Sequence, residues 1–186
     1  MKKARQLIRT IVKEVVSVLK KKKSGLYYLP EYDDSYSVNK FPINVSVELT
    51  VKKSTKYEDF VINGYYSAED DVVEILIIFN PKKLNSNLYD IIGELNEVVT
   101  HELQHSIQNY RGELDTDIDT DDLSPLEYYL QPEELDAQAK GFKRLSKLRR
   151  IPAILLMKKW FEKHISIHNL TDDEQQIVMD SILEKM

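Results

Sequence analysis

The chain has 186 residues, 42% hydrophobic and 31% charged, so it is long enough for one domain with a core and too short for two comfortable ones. A net charge of −5 gives no overall attraction to nucleic acid, and we expect no nucleic-acid partner. Cysteine is absent, which excludes disulfides and thiolate metal sites, so a transition metal would need His, Asp or Glu ligands.

Residues 1–24 predict an amphipathic helix. Apolar residues recur every three or four positions from Leu7 to Leu19, and Arg9, Lys13 and Glu14 interrupt them. The charges leave no apolar run of signal-peptide or transmembrane length, which predicts a cytoplasmic protein. We expect the helix to pack on the domain or to dock on a partner chain, with binding to an anionic membrane surface as the alternative.

Residues 25–186 are expected to form a single domain that begins with a small, mainly antiparallel sheet. The segments LYYLP, FPINVSVELTVKK and FVINGYY are rich in β-branched and aromatic residues, which favour strands. Turn formers in NGYYSAEDD predict a hairpin to the next strand, Val72 to Phe79. That strand is nearly all apolar, which predicts the most buried position in the sheet.

From Ser86 onward the pattern is helical. Helices are predicted from Leu88 to Tyr110, from Leu126 or Pro132 to Arg149, over IPAILLMKKWFEKH, and after a cap at Thr171. The intervening ELDTDIDTDDLSP lacks the glycine and glutamate of a calcium loop and is interpreted as a solvated acidic loop. The predicted class is α+β, with the sheet packed on one long helix and a helical C-terminal half.

The predicted long helix contains HELQH, in which His101 and His105 stand four residues apart. Residues at i and i+4 share a helix face, so both rings can offer nitrogens to one ion. Glu102 lies about 100° round the helix, from where it can act as a general base on a water beside that ion. The opposite, core-facing stripe consists of Ile92, Leu95, Val99, Leu103 and Ile107. The pattern predicts a catalytic zinc site rather than two solvent-exposed histidines.

A catalytic zinc site needs a third protein ligand and one position open to water or substrate. The segment EYYLQPEELDAQAKGF offers three carboxylates, Glu133, Glu134 and Asp136, at the start of the next helix. Small residues follow them, which allow close approach to another backbone. The residues themselves leave all three carboxylates as candidates.

HELQH followed on the next helix by a glutamate among small residues resembles the zincin metallopeptidases of the glutamate-ligand type, the thermolysin-like clan. HELQHSIQ with PEELDAQA is similar to small single-domain HExxH proteins of tailed phages and bacteria, including relatives of peptidases that cleave phage and mobile-element repressors. The resemblance covers residues 72–141. It implies a minimal zincin-like domain with zinc on His101, His105 and Glu134, and Glu102 as the base. Glu134 has the family's spacing to the small and polar residues after it, although aspartate is usual where Gln138 stands.

The resemblance also implies that an extended substrate lies along an edge strand, for which EILIIF is the best candidate, although this segment is also compatible with a central strand. A tyrosine or histidine beyond the ligands is expected to stabilise the oxyanion, with Tyr110, Tyr128, Tyr129 and His164 as candidates. Apart from this role, His164 and His168 are interpreted as a surface pair near a helix end.

We therefore expect a zinc metallopeptidase, an endopeptidase acting on protein or peptide substrates in the cytoplasm, or in the host cytoplasm or virion if the chain is phage-encoded. A metal-dependent hydrolase of other amides would differ only in substrate. The alternative is a catalytically silent zincin-fold protein with a structural or regulatory binding role, such as a virion component. The intact Glu102 argues against this alternative, because a purely structural zinc site has no use for a base.

Overall fold

The computed structural model describes residues 2–29, 45–56, 59–114, 123–164 and 168–186, and structural statements below concern these residues. Three predicted features extend beyond them. Most of the acidic loop, the first residues of FPINVSVELTVKK and the middle of HISIH lie outside the described residues.

One helix precedes the sheet and the other helices follow it. Helix α1 covers Lys2–Lys20, and the strands are β1 (Gly25–Tyr28), β2 (Ser46–Lys53), β3 (Phe60–Ser67) and β4 (Val72–Phe79). The later helices are α2 (Leu84–Arg111), α3 (Pro125–Tyr129), α4 (Pro132–Arg149), α5 (Ala153–Lys163) and α6 (Asp172–Lys185). This order confirms the predicted α+β class with a helical C-terminal half.

The four strands form one mixed sheet in the order β1-β2-β4-β3. Strand β1 pairs with β2, and β3 with β4, in antiparallel orientation, whereas β2 and β4 are parallel. Strand β4 is central, and its inward side chains Val73, Ile75, Ile77 and Phe79 are buried, as predicted. Of the two positions that the sequence left open for EILIIF, the central one is therefore confirmed and the edge is excluded, because β4 is paired on both sides. Strand β3 is the edge on that side of the sheet.

The predicted hairpin joins β3 to β4, with Phe60 opposite Phe79 and Ser67 opposite Val72. Its turn lies at residues 68–71, where Asp71 has a positive φ of 53°. Asn63 and Gly64, which look like turn formers in the sequence, lie within β3 instead. A glycine inside a strand often marks a place where another group comes close.

Two clusters of buried apolar residues flank the long helix α2. The first combines α1, the sheet and α2, and the second combines helices α3 to α6. Helix α2 packs against β3 on one side and α4 on another. The middle of α2 is therefore covered by both a strand and a helix.

Helix α1 belongs to the first of these clusters. Its side chains Leu7, Ile11, Val15 and Leu19 are fully buried, and the helix packs against α2. Its apolar face therefore packs on the domain within this chain. Among the described residues, no helix combines the length and apolar character that crossing a bilayer requires.

If α1 is an integral part of the core, truncating a side chain on its buried face should destabilise the whole domain. We expect Ile11→Ala to lower the free energy of unfolding by about 2–5 kcal/mol. Lys13, two residues away, is exposed, and Lys13→Ala should change it by less than about 0.5 kcal/mol. Urea denaturation of both variants measures the difference, and equal effects would show that α1 does not contribute to the core.

Candidate metal centre

The middle of α2 carries a buried group of potential metal ligands, His101, Glu102 and His105. Their ligand atoms all lie within 4.8 Å of one another. His101 and Glu102 are buried, and His105 is nearly so. The three side chains form a group that could hold a metal ion. The HELQH spacing predicts the two histidines as its ligands and Glu102 as the base beside it.

Helix α4 brings Glu134 against both histidines. Its Oε1 lies 3.3 Å from His101 Nε2, and its Oε2 lies 3.3 Å from His105 Nε2. The two Nε2 atoms are 3.0 Å apart. Tetrahedral ligands at about 2.0–2.1 Å from a zinc ion are separated from one another by about 3.3 Å. Glu134 and the histidines therefore have both the donor types and the spacing that zinc requires.

The other two candidate carboxylates on α4 do not reach the histidines. Asp136 accepts hydrogen bonds from Gln104 Nε2 at 2.8 Å and from Lys140 Nζ at 2.9 Å. Glu133 contributes its backbone carbonyl, which accepts a hydrogen bond from Gln108 Nε2 at 2.9 Å. Of the three carboxylates that the sequence left open, the structure brings Glu134 alone to the histidine nitrogens.

Polar side chains hold the carboxylate of Glu134 in place. Gln138 Nε2 donates to its Oε1 at 3.0 Å, and the Tyr128 hydroxyl donates to its Oε2 at 3.2 Å. The family pattern implies that the residue at position 138 supports a histidine. Here Gln138 lies against Glu134 instead, because an amide can donate to a carboxylate where an aspartate would repel it.

His105 is oriented by a residue that sequence reasoning did not single out, Gln108. His105 Nδ1 lies 2.8 Å from Gln108 Oε1, and Gln108 also bonds to the start of α4. An Nδ1–H that donates to this oxygen leaves Nε2 unprotonated and directed at the site, which is the tautomer that a metal ligand needs. In the sequence, the i, i+3 spacing of His105 and Gln108 indicates that the two side chains can meet on one helix face.

Burial and charge set the protonation states of the site. Burial lowers the pKa of His101 to about 4, so its ring is neutral. Burial works to raise the pKa of Glu134, but the two histidines outweigh it and hold that pKa below its usual range. Burial opposes protonation of His105, yet the Glu134 carboxylate raises the pKa of that ring, so a metal ion would compete with a proton for Nε2. Burial raises the pKa of Glu102 to about 8.

Strand β3 lies directly over Glu102 because residue 64 is glycine. A Cβ atom at Gly64 would lie 2.4 Å from Glu102 Oε1 and 2.6 Å from Val98 Cγ1. Both distances are too short for any real contact. The cleft that contains the histidines therefore has β3 as one wall, with α2 as its floor and α3 and the start of α4 opposite.

The four candidates for oxyanion stabilisation divide into two groups. Tyr128, Tyr129 and His164 line the same cleft as the histidines. Tyr110 is 57% exposed and is not among the residues of that cleft. The first three therefore stay candidates, and Tyr128 is the one in contact with Glu134.

The interpretation of His164 and His168 as a surface pair is wrong. Both are buried, and their rings lie against the Trp160 indole. His164 Nδ1 donates to the Trp160 carbonyl at 2.9 Å. His168 Nε2 donates to the Phe161 carbonyl at 2.8 Å, and its Nδ1 accepts from the backbone N–H of Leu170 at 3.0 Å. These bonds satisfy both ring nitrogens of His168 and Nδ1 of His164, while His164 Nε2 lies 3.7 Å from Glu94 Oε1.

Comparisons of the chain with protein-family models, with curated proteins and with solved structures give no match. The function is therefore inferred from the site itself. Its informative features are the identity of the side chains, the distances between them and their burial.

Adding a methyl group at Gly64 tests how tightly β3 packs over the site. Where space is free, Gly→Ala stabilises a protein because it restricts the unfolded chain. Here we expect Gly64→Ala to lower the free energy of unfolding by about 1–3 kcal/mol, because the new Cβ collides with Glu102 and Val98. Thermal or urea unfolding measures this change.

The control for this variant is the neighbouring strand position, Asn63, whose side chain is exposed. Asn63→Ala should change the free energy of unfolding by less than about 1 kcal/mol. A Gly64→Ala protein that is more stable than the unaltered chain would contradict the close packing of β3 on Glu102.

Proposed function

We propose that the protein is a zinc-dependent metallopeptidase in which His101, His105 and Glu134 hold the ion and Glu102 is the general base. The observation that supports this most strongly is the meeting of two Nε2 atoms and a carboxylate at 3.0–3.3 Å from one another. The groups come from two helices, α2 and α4, and are buried together at the bottom of a cleft.

Two imidazoles and one carboxylate are a donor set typical of catalytic zinc sites, which keep a position for water or substrate. A zinc ion held here would acidify a water molecule and polarise a carbonyl oxygen. The absence of cysteine limits any transition-metal site in this chain to nitrogen and oxygen donors of this kind. The donor set therefore fits zinc.

Glu102 supplies the proton transfers. In its ionised form, its carboxylate accepts a proton from the attacking water and then donates that proton to the leaving amine. Burial raises its pKa to about 8, and a divalent cation on the neighbouring ligands would favour the ionised carboxylate. A pKa near neutrality suits a carboxyl group that must both accept and donate a proton.

A peptide is the substrate that the walls of the cleft support best. Strand β3 is an edge strand and forms the wall over Glu102, so an extended peptide there can pair with its backbone. Opposite β3, Tyr128 is a candidate hydrogen-bond donor to the oxyanion. Burial raises the pKa of its phenol, which therefore stays protonated and able to donate. Endopeptidase activity and a cytoplasmic location both remain predictions.

The identity of the third ligand is tested by paired variants on α4. We expect Glu134→Gln to weaken zinc binding by at least about 100-fold, because the loss of a supporting residue alone costs about 10–100-fold. Asp136→Asn, two residues away, should retain zinc affinity within about threefold, since Asp136 contacts Gln104 and Lys140 instead. Competition with a chromophoric chelator measures both affinities. Equal losses in the two variants would contradict the assignment.

The role of Glu102 is tested by a variant that keeps its shape. Glu102→Gln should retain one zinc ion per chain and lose about 10²–10⁴-fold in peptide cleavage, because the amide cannot accept the proton. Glu69→Gln, at the exposed turn beside the same cleft, is the matched control and should retain cleavage. Cleavage of a mixed peptide library is followed by mass spectrometry.

Two results would exclude the proposed reaction. Undiminished cleavage by Glu102→Gln would exclude this base. Stoichiometric zinc without any cleavage by the unaltered chain would favour the alternative, a catalytically silent binding protein.

A further inference from the structure

The cleft continues past the histidines into a side pocket beside the N-terminal half of α2. Three residues, Glu97, Trp160 and His164, line both the main cleft and this adjoining cavity. Glu97 stands four residues before His101, which is about 6 Å along the same face of the helix. The side pocket therefore opens one helical turn from the proposed metal ligands.

Glu97 is a buried carboxyl group without a partner. It is 4% exposed, and no hydrogen bond or ion pair within the described residues involves its side chain. The charged groups that act on it are Glu94, Glu102 and Glu134, all carboxylates. Burial and this repulsion raise the pKa of Glu97 to about 8. An isolated buried carboxylate is costly, so this position is ready to accept a cation.

Helix α4 fixes the position of Glu97. A Cβ atom at Gly141 would lie 2.8 Å from Glu97 Oε1 and 3.3 Å from the Glu97 backbone oxygen. The carboxyl group thus fills the space that the glycine leaves, and Glu97 is among the residues that line both cavities.

A second acceptor in the same pocket is also without a donor. Glu94 Oε1 is buried and makes no hydrogen bond, while Glu94 Oε2 binds Lys163 Nζ at 2.7 Å. His164 Nε2 lies 3.7 Å from Glu94 Oε1, but the proton of this neutral ring is on Nδ1, which donates to the Trp160 carbonyl.

Two other cations line the pocket: Arg149, which is bound to Asp90 at 2.9 Å and to the Tyr89 backbone oxygen, and the exposed Lys159. Lys163 and Arg149 are thus paired with other carboxylates, and no cation is among the charged groups that act on Glu97.

We propose that this side pocket, with Glu97 and Glu94 as acceptors and Trp160 and His164 as walls, binds the basic side chain of a substrate residue next to the scissile bond. The substrate class would then be peptides that contain lysine or arginine. That these peptides are substrates with a scissile bond rests on the proposed peptidase function. The preference of the pocket for a basic side chain does not depend on that function and can be tested without turnover.

The dimensions agree with a residue that adjoins the scissile bond. An extended peptide along β3 advances about 3.3 Å per residue, so one helical turn corresponds to between one and two residues. A lysine or arginine side chain is long enough to cover this offset and to enter the side pocket. Its donors would meet Glu97 and Glu94 Oε1, both of which lack them now.

The chain contains a single tryptophan, Trp160, which provides a direct readout of the pocket. Two blocked tripeptides, alanyl-lysyl-alanine and alanyl-norleucyl-alanine, differ in a charge and hardly in size. They are titrated into the full-length protein at about pH 9, where Glu97 is ionised and lysine is still protonated. We expect the lysine peptide to change the fluorescence with at least about tenfold higher affinity than the norleucine peptide.

The variant Glu97→Gln keeps the shape of the side chain and removes its charge. The preference for the lysine peptide should fall below about threefold in this variant and persist in the control Glu69→Gln. Thermal unfolding confirms that both variants fold, and we expect no loss of stability in Glu97→Gln because an unpaired buried acid is removed. Equal affinity for the two peptides, or a preference that Glu97→Gln retains, would overturn the proposal.

Cleavage of the mixed peptide library separates this inference from the proposed function. If lysine and arginine are enriched beside the cleaved bonds and Glu97→Gln loses this enrichment, the result supports both the basic side pocket and the peptidase function. Cleavage without such enrichment overturns the basic subsite and leaves the peptidase intact. If the library is not cleaved but the lysine peptide is still preferred in the fluorescence titration, the peptidase function fails while the pocket's preference stands.

Discussion

The close approach of α2 and α4 is the constraint on which the site depends. Glu134 touches both histidine nitrogens at 3.3 Å, and these contacts cross from one helix to the other. They require small residues on the facing side of α4, where Ala137 is fully buried and Gly141 leaves room for a side chain of α2. A bulkier residue would separate the helices, and a shift of one ångström would remove the spacing that suits a metal ion.

Strand β3 applies a second constraint from the opposite side. Gly64 lets the strand lie on Glu102, and the hairpin turn is tied to the end of α2 through Asn109, whose amide donates to Tyr66 and to the Ala68 carbonyl. The base is therefore held between a strand and a helix while the histidines face α4. Positioning on regular elements favours a fixed geometry over one that forms only when substrate binds.

Local patterns predicted the helix that carries the histidines, whereas the residues left three carboxylates open and only the family resemblance implied Glu134. The i, i+4 spacing of His101 and His105 fixes a shared face, and the small residues after Glu134 indicate a close neighbour. Sequence patterns were less informative where a structural feature depends on residues that are distant in the chain. The family resemblance makes EILIIF the best candidate for an edge, but its apolar run is equally compatible with a strand that has a neighbour on each side, and the parallel β2–β4 pairing is not encoded locally.

The buried histidines and acids were missed for the same reason. His164 looks exposed at a helix end, and only the folded chain places the Trp160 ring and backbone carbonyls around it and His168. Glu97 likewise resembles an ordinary polar position on a helix until α4 covers it. Asn63 and Gly64 resemble a turn because the same residue types serve turns and close contacts alike.

Three carboxyl groups of the site are buried: Glu97 and Glu134 where α2 meets α4, and Glu102 beneath β3. Burying an ionised carboxylate without a partner costs several kcal/mol, and a whole domain is stable by only about 5–15 kcal/mol. Stability therefore does not explain such a cluster. On the proposed function, a divalent ion held by His101, His105 and Glu134 would favour the ionised forms of Glu134 and Glu102. The basic side chain of a ligand would do the same for Glu97, which no cation of the described residues approaches. The distribution of charge among these buried acids thus agrees with both proposals.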